Sequence, residues 1–245
     1  MNFMRHTKTS YKRILSVLLC LGALLTLCAC GSADSKMEQK QIFAMDTVMT
    51  LTAYGKHASE GLTAAASVIN SLQAQLDPDL PTSTTYAINH ANGANVVVSP
   101  QVAKMLSTAK TVYDQSDGAL DLSIYPVVRL WGFVDGRYYV PTDEELSAQL
   151  VRKGFDQMVL TSYPATGSYS VSFPSQVEIS FASIAKGCAA ENAVSAMRQA
   201  GVESGIVSLG GNVQTLGVKP DGKSWTTAIS PTFTVPTHPA GLFGS

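Results

Sequence analysis

Neither sign of charge dominates this chain of 245 residues: 17 Lys and Arg stand against 18 Asp and Glu. The basic excess of a nucleic-acid binder is missing, and no run of Lys and Arg occurs beyond the N-terminus, so nucleic acid is set aside as a partner. Cysteine is scarce, with four residues, which excludes a disulfide-knit scaffold, and 19 Gly without a repeat exclude a collagen-like chain. Low hydrophobicity with high net charge is absent too: 45% of residues are apolar and the formal charge is −1, so the chain can bury a core. Beyond residue 30 there is no Gly-x-Gly-x-x-Gly and no Walker-type loop, so any nucleotide chemistry needs another kind of pocket. Histidines His57, His90 and His238 are far apart and outside any ligand-spaced motif.

What is present begins with an address. Arg5, Lys8, Lys12 and Arg13 precede the apolar run Ile14 to Leu27, and Leu27-Cys28-Ala29-Cys30-Gly31 follows. The run is too short for a permanent span, which needs about 20 residues, and it reads as a signal peptide over residues 1–29. Its end resembles a bacterial lipobox, with Cys30 as the lipidated new N-terminus, because Ala29 before it is small whereas Leu27 before Cys28 is bulky. Cleavage removes four bases and no acid, leaving 13 basic against 18 acidic groups and a formal charge of −5. Cys188 is then the one thiol left, so no disulfide within the mature chain is expected. Residues 30–40 are small and polar, a tether that reaches about 35 Å at ~3.5 Å per residue. The expected location is the extracytoplasmic face of the cell membrane, held by lipid.

The body of the chain predicts an α+β fold, a mixed, largely antiparallel sheet packed with helices. Gln41 to Tyr54 reads as a strand or bent hairpin arm interrupted at Asp46. Ser59 to Leu76 carries Leu62, Ala65, Ile69, Leu72 and Leu76 at helical spacing behind a capping Ser59. A second helix starts at Ser99-Pro100 and ends at Asp117-Gly118, and an Ala-rich one runs from Ile184 to Gln199. Short strands are expected near Gln157 to Thr161, Ser168 to Phe173, Val177 to Phe181 and Trp225 to Ile229, and from Gly205 to Gly217 with a break at Gly210-Gly211.

Four stretches carry the chemistry: Phe43-Ala44-Met45-Asp46-Thr47-Val48-Met49; Asp117 to Ser123 running on to Leu130-Trp131-Gly132-Phe133; Ile179-Ser180-Phe181-Ala182-Ser183-Ile184-Ala185-Lys186-Gly187; and Ser208-Leu209-Gly210-Gly211-Asn212-Val213. Their order and spacing, from about Gln41 to Pro231, resemble the FAD:protein FMN transferases, the ApbE-type flavin-trafficking lipoproteins. The resemblance implies a T-fold-like architecture and a magnesium-dependent enzyme outside the cytoplasmic membrane. Such an enzyme cleaves FAD and joins FMN to a Thr or Ser of a partner protein, releasing AMP. The implied partner is a membrane-associated redox protein that accepts the flavin. The domain so defined covers residues 41–231.

By the same resemblance Met45 and Ala119-Leu120-Asp121 line the FAD pocket, with Asp121 an acceptor for ribose or ring N–H groups. Core packing explains Met45 equally well. Ser183 matches the position that gives Mg²⁺ an oxygen, although a helix N-cap Ser would look the same. Ser180 departs from the pattern, since many members have a nucleotide-contacting Asp there. An aromatic that some relatives place before the Ser-x-x-x-x-x-Asn stretch, here Ser83 to Asn89, is absent or replaced by Asp79. Lys186 is the candidate catalytic cation: it follows a predicted strand, inside the first turn of a predicted helix, where free N–H groups and the helix dipole also favour phosphate. Trp131, Phe133 and Gly210-Gly211 are read as structural.

Ser183-Ile184-Ala185-Lys186 also has the Ser-x-x-Lys spacing of penicillin-recognising acyl-enzymes, but no Ser-Asp-Asn or Lys-Thr-Gly follows it. A flavin-binding or solute-binding lipoprotein without catalysis is the other alternative. Residues 232–245 match no part of the family pattern, whose members continue through a His-rich turn and an Asp-x-x-x-Thr segment that supply most magnesium ligands. The resulting expectation is a C-terminally truncated, weakly active or inactive chain with an unpaired sheet edge.

Overall fold

The structure is a computed structural model that describes residues 36–228. The expected signal peptide, Cys30, and residues 232–245 with His238 lie outside these residues. The first element is a hairpin of β1 (Met37–Ala44) and β2 (Thr47–Tyr54), closed by Ala44 paired with Thr47. Met45 (φ 49°) and Asp46 (φ 57°) form its two-residue turn, both in the left-handed region that such turns require. Asp46 therefore marks a reversal between two strands. The tether is shorter than expected, because Met37–Lys40 are already strand. Their alternating exposure is that of an edge strand with one covered face, and the polar residues on its open face hide it in the sequence.

Helix α1 (Ala58–Leu76) follows the expected apolar stripe, but it starts behind His57 with no side-chain cap, so Ser59 is not its capping residue. The short α2 (Thr84–Asn89), capped by Ser83, lies in a region expected to be loop or unassigned. β3 (Val96–Val98) leads into α3 (Pro100–Gln115), where Ser99 Oγ accepts the Val102 N–H, as the Ser-Pro pair predicts. Its end is shaped by Asp117 (φ 51°) and Gly118 (φ 79°), with the Gly118 N–H donating to the Tyr113 carbonyl.

A 3-10 turn (Leu122–Ile124) runs into α4 (Tyr125–Leu130), and α5 (Asp143–Leu150) opens with a capping box of Thr142 and Glu145. β4 (Val159–Tyr163) and β5 (Ser168–Ser172) pair antiparallel, as expected. Val177–Phe181 and residues 225–228 form no strand. α6 (Ala182–Gln199) is followed by the hairpin of β6 (Ser204–Leu209) and β7 (Asn212–Leu216), broken at Gly210-Gly211 as the sequence indicates.

The strands form two sheets instead of one mixed sheet, β1-β2-β6-β7 and β3-β5-β4, and every strand pair among the described residues is antiparallel. α1 covers β1 and β2, α6 covers β6 and β7, and the two helices pack on each other. Ala65 and Ala66 on α1 and Ala189, Ala190 and Ala193 on α6 are buried. Small side chains let the helices approach closely enough to share one layer over Met49, Leu51, Val207 and Leu209 of the sheet. α3 packs on the second sheet. Phe133, read as structural, is 59% exposed and stacks on Trp131, which is half-buried. No helix among the described residues is long and apolar enough to cross a membrane.

Candidate functional site

Two hairpin turns share one end of the four-stranded sheet, because Met49 of β2 pairs with Leu209 of β6. At that end Gly210 (φ 57°) lies so near Thr47 that an added Cβ would sit 2.7 Å from the threonine Oγ1. Glycine is thus needed there for conformation and for space. The Met45 N–H donates to Gln73 Oε1 at 2.6 Å, which fastens the other turn to the end of α1. Met45 itself is half-buried against the core. The first turns of α6 lie beside the second hairpin: a Cβ on Gly187 would come within 3.9 Å of Nδ2 of Asn212, the first residue of β7.

The start of α6 is open. Phe181 precedes it without a side-chain cap, the Ala182 N–H is taken by Ser180 Oγ at 3.2 Å, and the Ser183 N–H has no partner among the described residues. Ser183 stands second in the helix and is exposed, so it is not the N-cap. Lys186 stands fifth, in the second turn instead of the first, because the helix starts two residues before Ile184. At i and i+3 the two side chains share a face. Lys186 is half-buried and has no ion-pair partner among the described residues, whereas Lys153 is held by Asp121 and Lys104 by Glu191. No hydrogen bond joins Ser183 to Lys186.

The Ala119-Leu120-Asp121 loop reaches this helix start through the Ser180 N–H, which donates to the Leu122 carbonyl at 3.1 Å. Ala119 is exposed and Leu120 half-buried. Asp121 is not the free acceptor expected. Its side chain is 5% exposed, Oδ1 accepts from the Ser123 N–H (2.8 Å) and hydroxyl (2.6 Å), and Oδ2 faces Lys153 Nζ at 3.1 Å. The carboxylate is committed to capping the 3-10 turn and neutralising a lysine. Its second oxygen, ion-paired but without a hydrogen bond, is the remaining acceptor capacity.

A separate cleft of about 500 Å³ has among its charged residues Asp79, Arg129, Asp135, Arg137, Arg152 and Glu178. Glu178 binds Arg129 at 3.0 Å and also Arg152, while Arg137 pairs with Asp135 at 2.6 Å. Glu178 is shared by two guanidiniums and Asp135 serves the third, and with Asp79 the three carboxylates of the lining balance its three guanidiniums, so the cleft is polar without being an anion trap. Asp79 is on its wall. Sequence reasoning missed Arg129, Arg152 and Glu178, since no local motif joins residues so far apart.

A magnesium ion takes six oxygens in octahedral geometry and uses at least one carboxylate in most protein sites. Among the described residues no three His, Cys, Asp or Glu gather around a point. These residues do not fit a magnesium site.

The fold has solved counterparts. The flavinyl transferase ApbE of Pseudomonas stutzeri, in its apo form, matches with a TM-score of 0.69 at 26% identity, over 79% of this chain and 62% of its own. The FAD:protein FMN transferase of Haemophilus influenzae is 27% identical over 231 residues, 89% of this chain and 65% of its own length. That of Treponema pallidum is 29% identical over 220 residues, 85% of this chain and 59% of its own. The α+β fold and these relatives define a homologue of flavin transferases. The sequence model described as the ApbE family matches residues 45–241, and the chain belongs to that family. It spans slightly less than two thirds of the length of these curated relatives.

Proposed function

We propose that the chain binds FAD with its pyrophosphate against the open start of α6 and transfers FMN to a Thr or Ser of a partner protein. The observation that carries this is the meeting, at one end of the sheet, of a helix start whose Ser183 N–H and Lys186 ammonium have no partner among the described residues, the Met45–Asp46 turn and the Gly210–Gly211 turn. The Ser183 N–H, which has no partner among the described residues, and the helix dipole favour the anion, and the ammonium, one turn further in, neutralises charge as it grows on the phosphates. The acceptor hydroxyl oxygen forms a bond to the FMN phosphorus, the P–O–P bridge breaks, AMP leaves with the bridging electrons, and the hydroxyl proton is released. Magnesium dependence, the family's expected property, stays a proposal: the described residues do not by themselves fit the ion, Ser183 being the one oxygen the resemblance offers it, and no step above is routed through the ion.

A non-catalytic flavin binder is the second reading, favoured by the lack of a magnesium-competent donor set among the described residues. Lipid anchoring at Cys30, an extracytoplasmic location and a membrane-associated redox partner complete the proposal, and a Cys30→Ala chain that still takes up radiolabelled fatty acid would oppose that part. The functional test is AMP release from FAD in the presence of a Thr-containing acceptor protein. AMP with flavin joined to the acceptor supports transfer. Bound flavin without AMP supports the binder, and neither signal opposes both.

A further inference from the structure

Val177–Phe181 runs between the second sheet and α6 without a neighbouring strand, yet Ile179 is 0% and Phe181 1% exposed. Backbone polar groups at such depth need partners from elsewhere. Asn89 supplies both for Ile179: its Oδ1 accepts the Ile179 N–H at 2.8 Å, and its Nδ2 donates to the Ile179 carbonyl at 3.0 Å. The side-chain amide thus pairs with the residue as a strand neighbour would. One residue later the Ser180 N–H donates to the Leu122 carbonyl, and the Ser180 hydroxyl takes the Ala182 N–H at the head of α6.

Asn89 is the last residue of α2, and Ser83 is the cap at the other end, accepting the Tyr86 N–H while its hydroxyl donates to the Asp77 carbonyl. The six-residue spacing of the Ser83…Asn89 stretch therefore has a physical reason. One end starts the helix and the other reaches across 90 positions of sequence to hold the approach to α6.

We infer that Asn89 is a positioning residue for the nucleotide site. Through Ile179 and Ser180 it fixes where the open N-terminus of α6 points, and with it Lys186, while touching no ligand itself. The inference rests on the flavin reading above. A residue needed for folding alone would lower the thermal midpoint and raise amide exchange throughout, leaving the FAD affinity of the folded molecules unchanged.

The experiment uses the full chain as wild type, Asn89→Leu and Asn89→Asp, with FAD as the probe. FAD affinity is read from flavin fluorescence, and local opening from amide exchange of residues 177–183. The Leu variant is expected to bind FAD at least 10-fold more weakly, with exchange at Ile179 and Ser180 raised at least 10-fold above that of α1. The Asp variant keeps an acceptor for the Ile179 N–H but loses the donor, and is expected to fall between. Wild-type FAD affinity in a folded Leu variant overturns the inference; where that variant does not fold, wild-type affinity in the Asp variant overturns it. A wild-type chain that binds no FAD overturns the functional reading instead. The clamp is then judged by exchange alone: unchanged exchange at Ile179 refutes it, and raised exchange upholds it.

Discussion

Tyr125 is 3% exposed, and its hydroxyl has no hydrogen-bond partner among the described residues, although the Arg129 guanidinium lies 5.6 Å from its ring centre. Burial, helped by the charge of Asp79, pushes its pKa from 10 to about 12. A raised phenol pKa contributes stability that is complete below pH 10 and is lost as pH climbs toward 12, because the unfolded chain ionises first. Leaving a buried hydroxyl unpaired costs about 1–3 kcal/mol. Tyr125→Phe is therefore expected to raise stability by about 1 kcal/mol in urea unfolding at pH 7 and to flatten the fall between pH 10 and 12; a loss of stability would show that the hydroxyl has a partner. A second residue-scale effect sits in the Met45–Asp46 turn. Left-handed backbone strains any residue with a Cβ, so Asp46→Gly is expected to stabilise by about 0.5–1 kcal/mol, read as a higher urea midpoint at unchanged slope. The sequence shows these residues but not their surroundings: Asp121 reads as a free carboxylate until Ser123 and Lys153 are seen to occupy it.

Elements whose signals are local were legible before the structure. Ser99-Pro100 announces α3, and the apolar spacing from Leu62 to Leu76 announces α1, because caps and helical periodicity need only a few neighbours. Ser99→Ala is expected to lower stability by about 1 kcal/mol, since the Val102 N–H loses its acceptor. The Gly210–Gly211 break was legible for the same reason, and its tight approach to Thr47 makes Gly210→Ala destabilising by about 1–3 kcal/mol in the same assay. Elements decided by distant partners were not legible. β1 begins in a polar stretch and is made a strand by β2, and Val177–Phe181, read as a strand, is held by a side chain of α2 instead of a sheet. The start of α6 shifted by two residues, which moves Lys186 out of the first turn while leaving it on the Ser183 face.

At the scale of the molecule, two helices on one face of an antiparallel sheet bring three distant sequence motifs to one end, and α4, α5 and the segment carrying Glu178 form the cleft. The family was legible from those motifs, because their order along the chain mirrors their convergence in space. The cleft was not, because its ion pairs join residues from separate elements. The central claim is that a flavin pyrophosphate rests on the open start of α6 against the Lys186 ammonium. Titration of FAD into the full chain and into Lys186→Met tests it most directly, since methionine keeps the length and apolar stem and removes the charge. A lost charge-assisted contact of about 1.5–3 kcal/mol corresponds to an affinity drop of roughly 10- to 100-fold, the result expected. Equal affinity in the two chains would contradict the account.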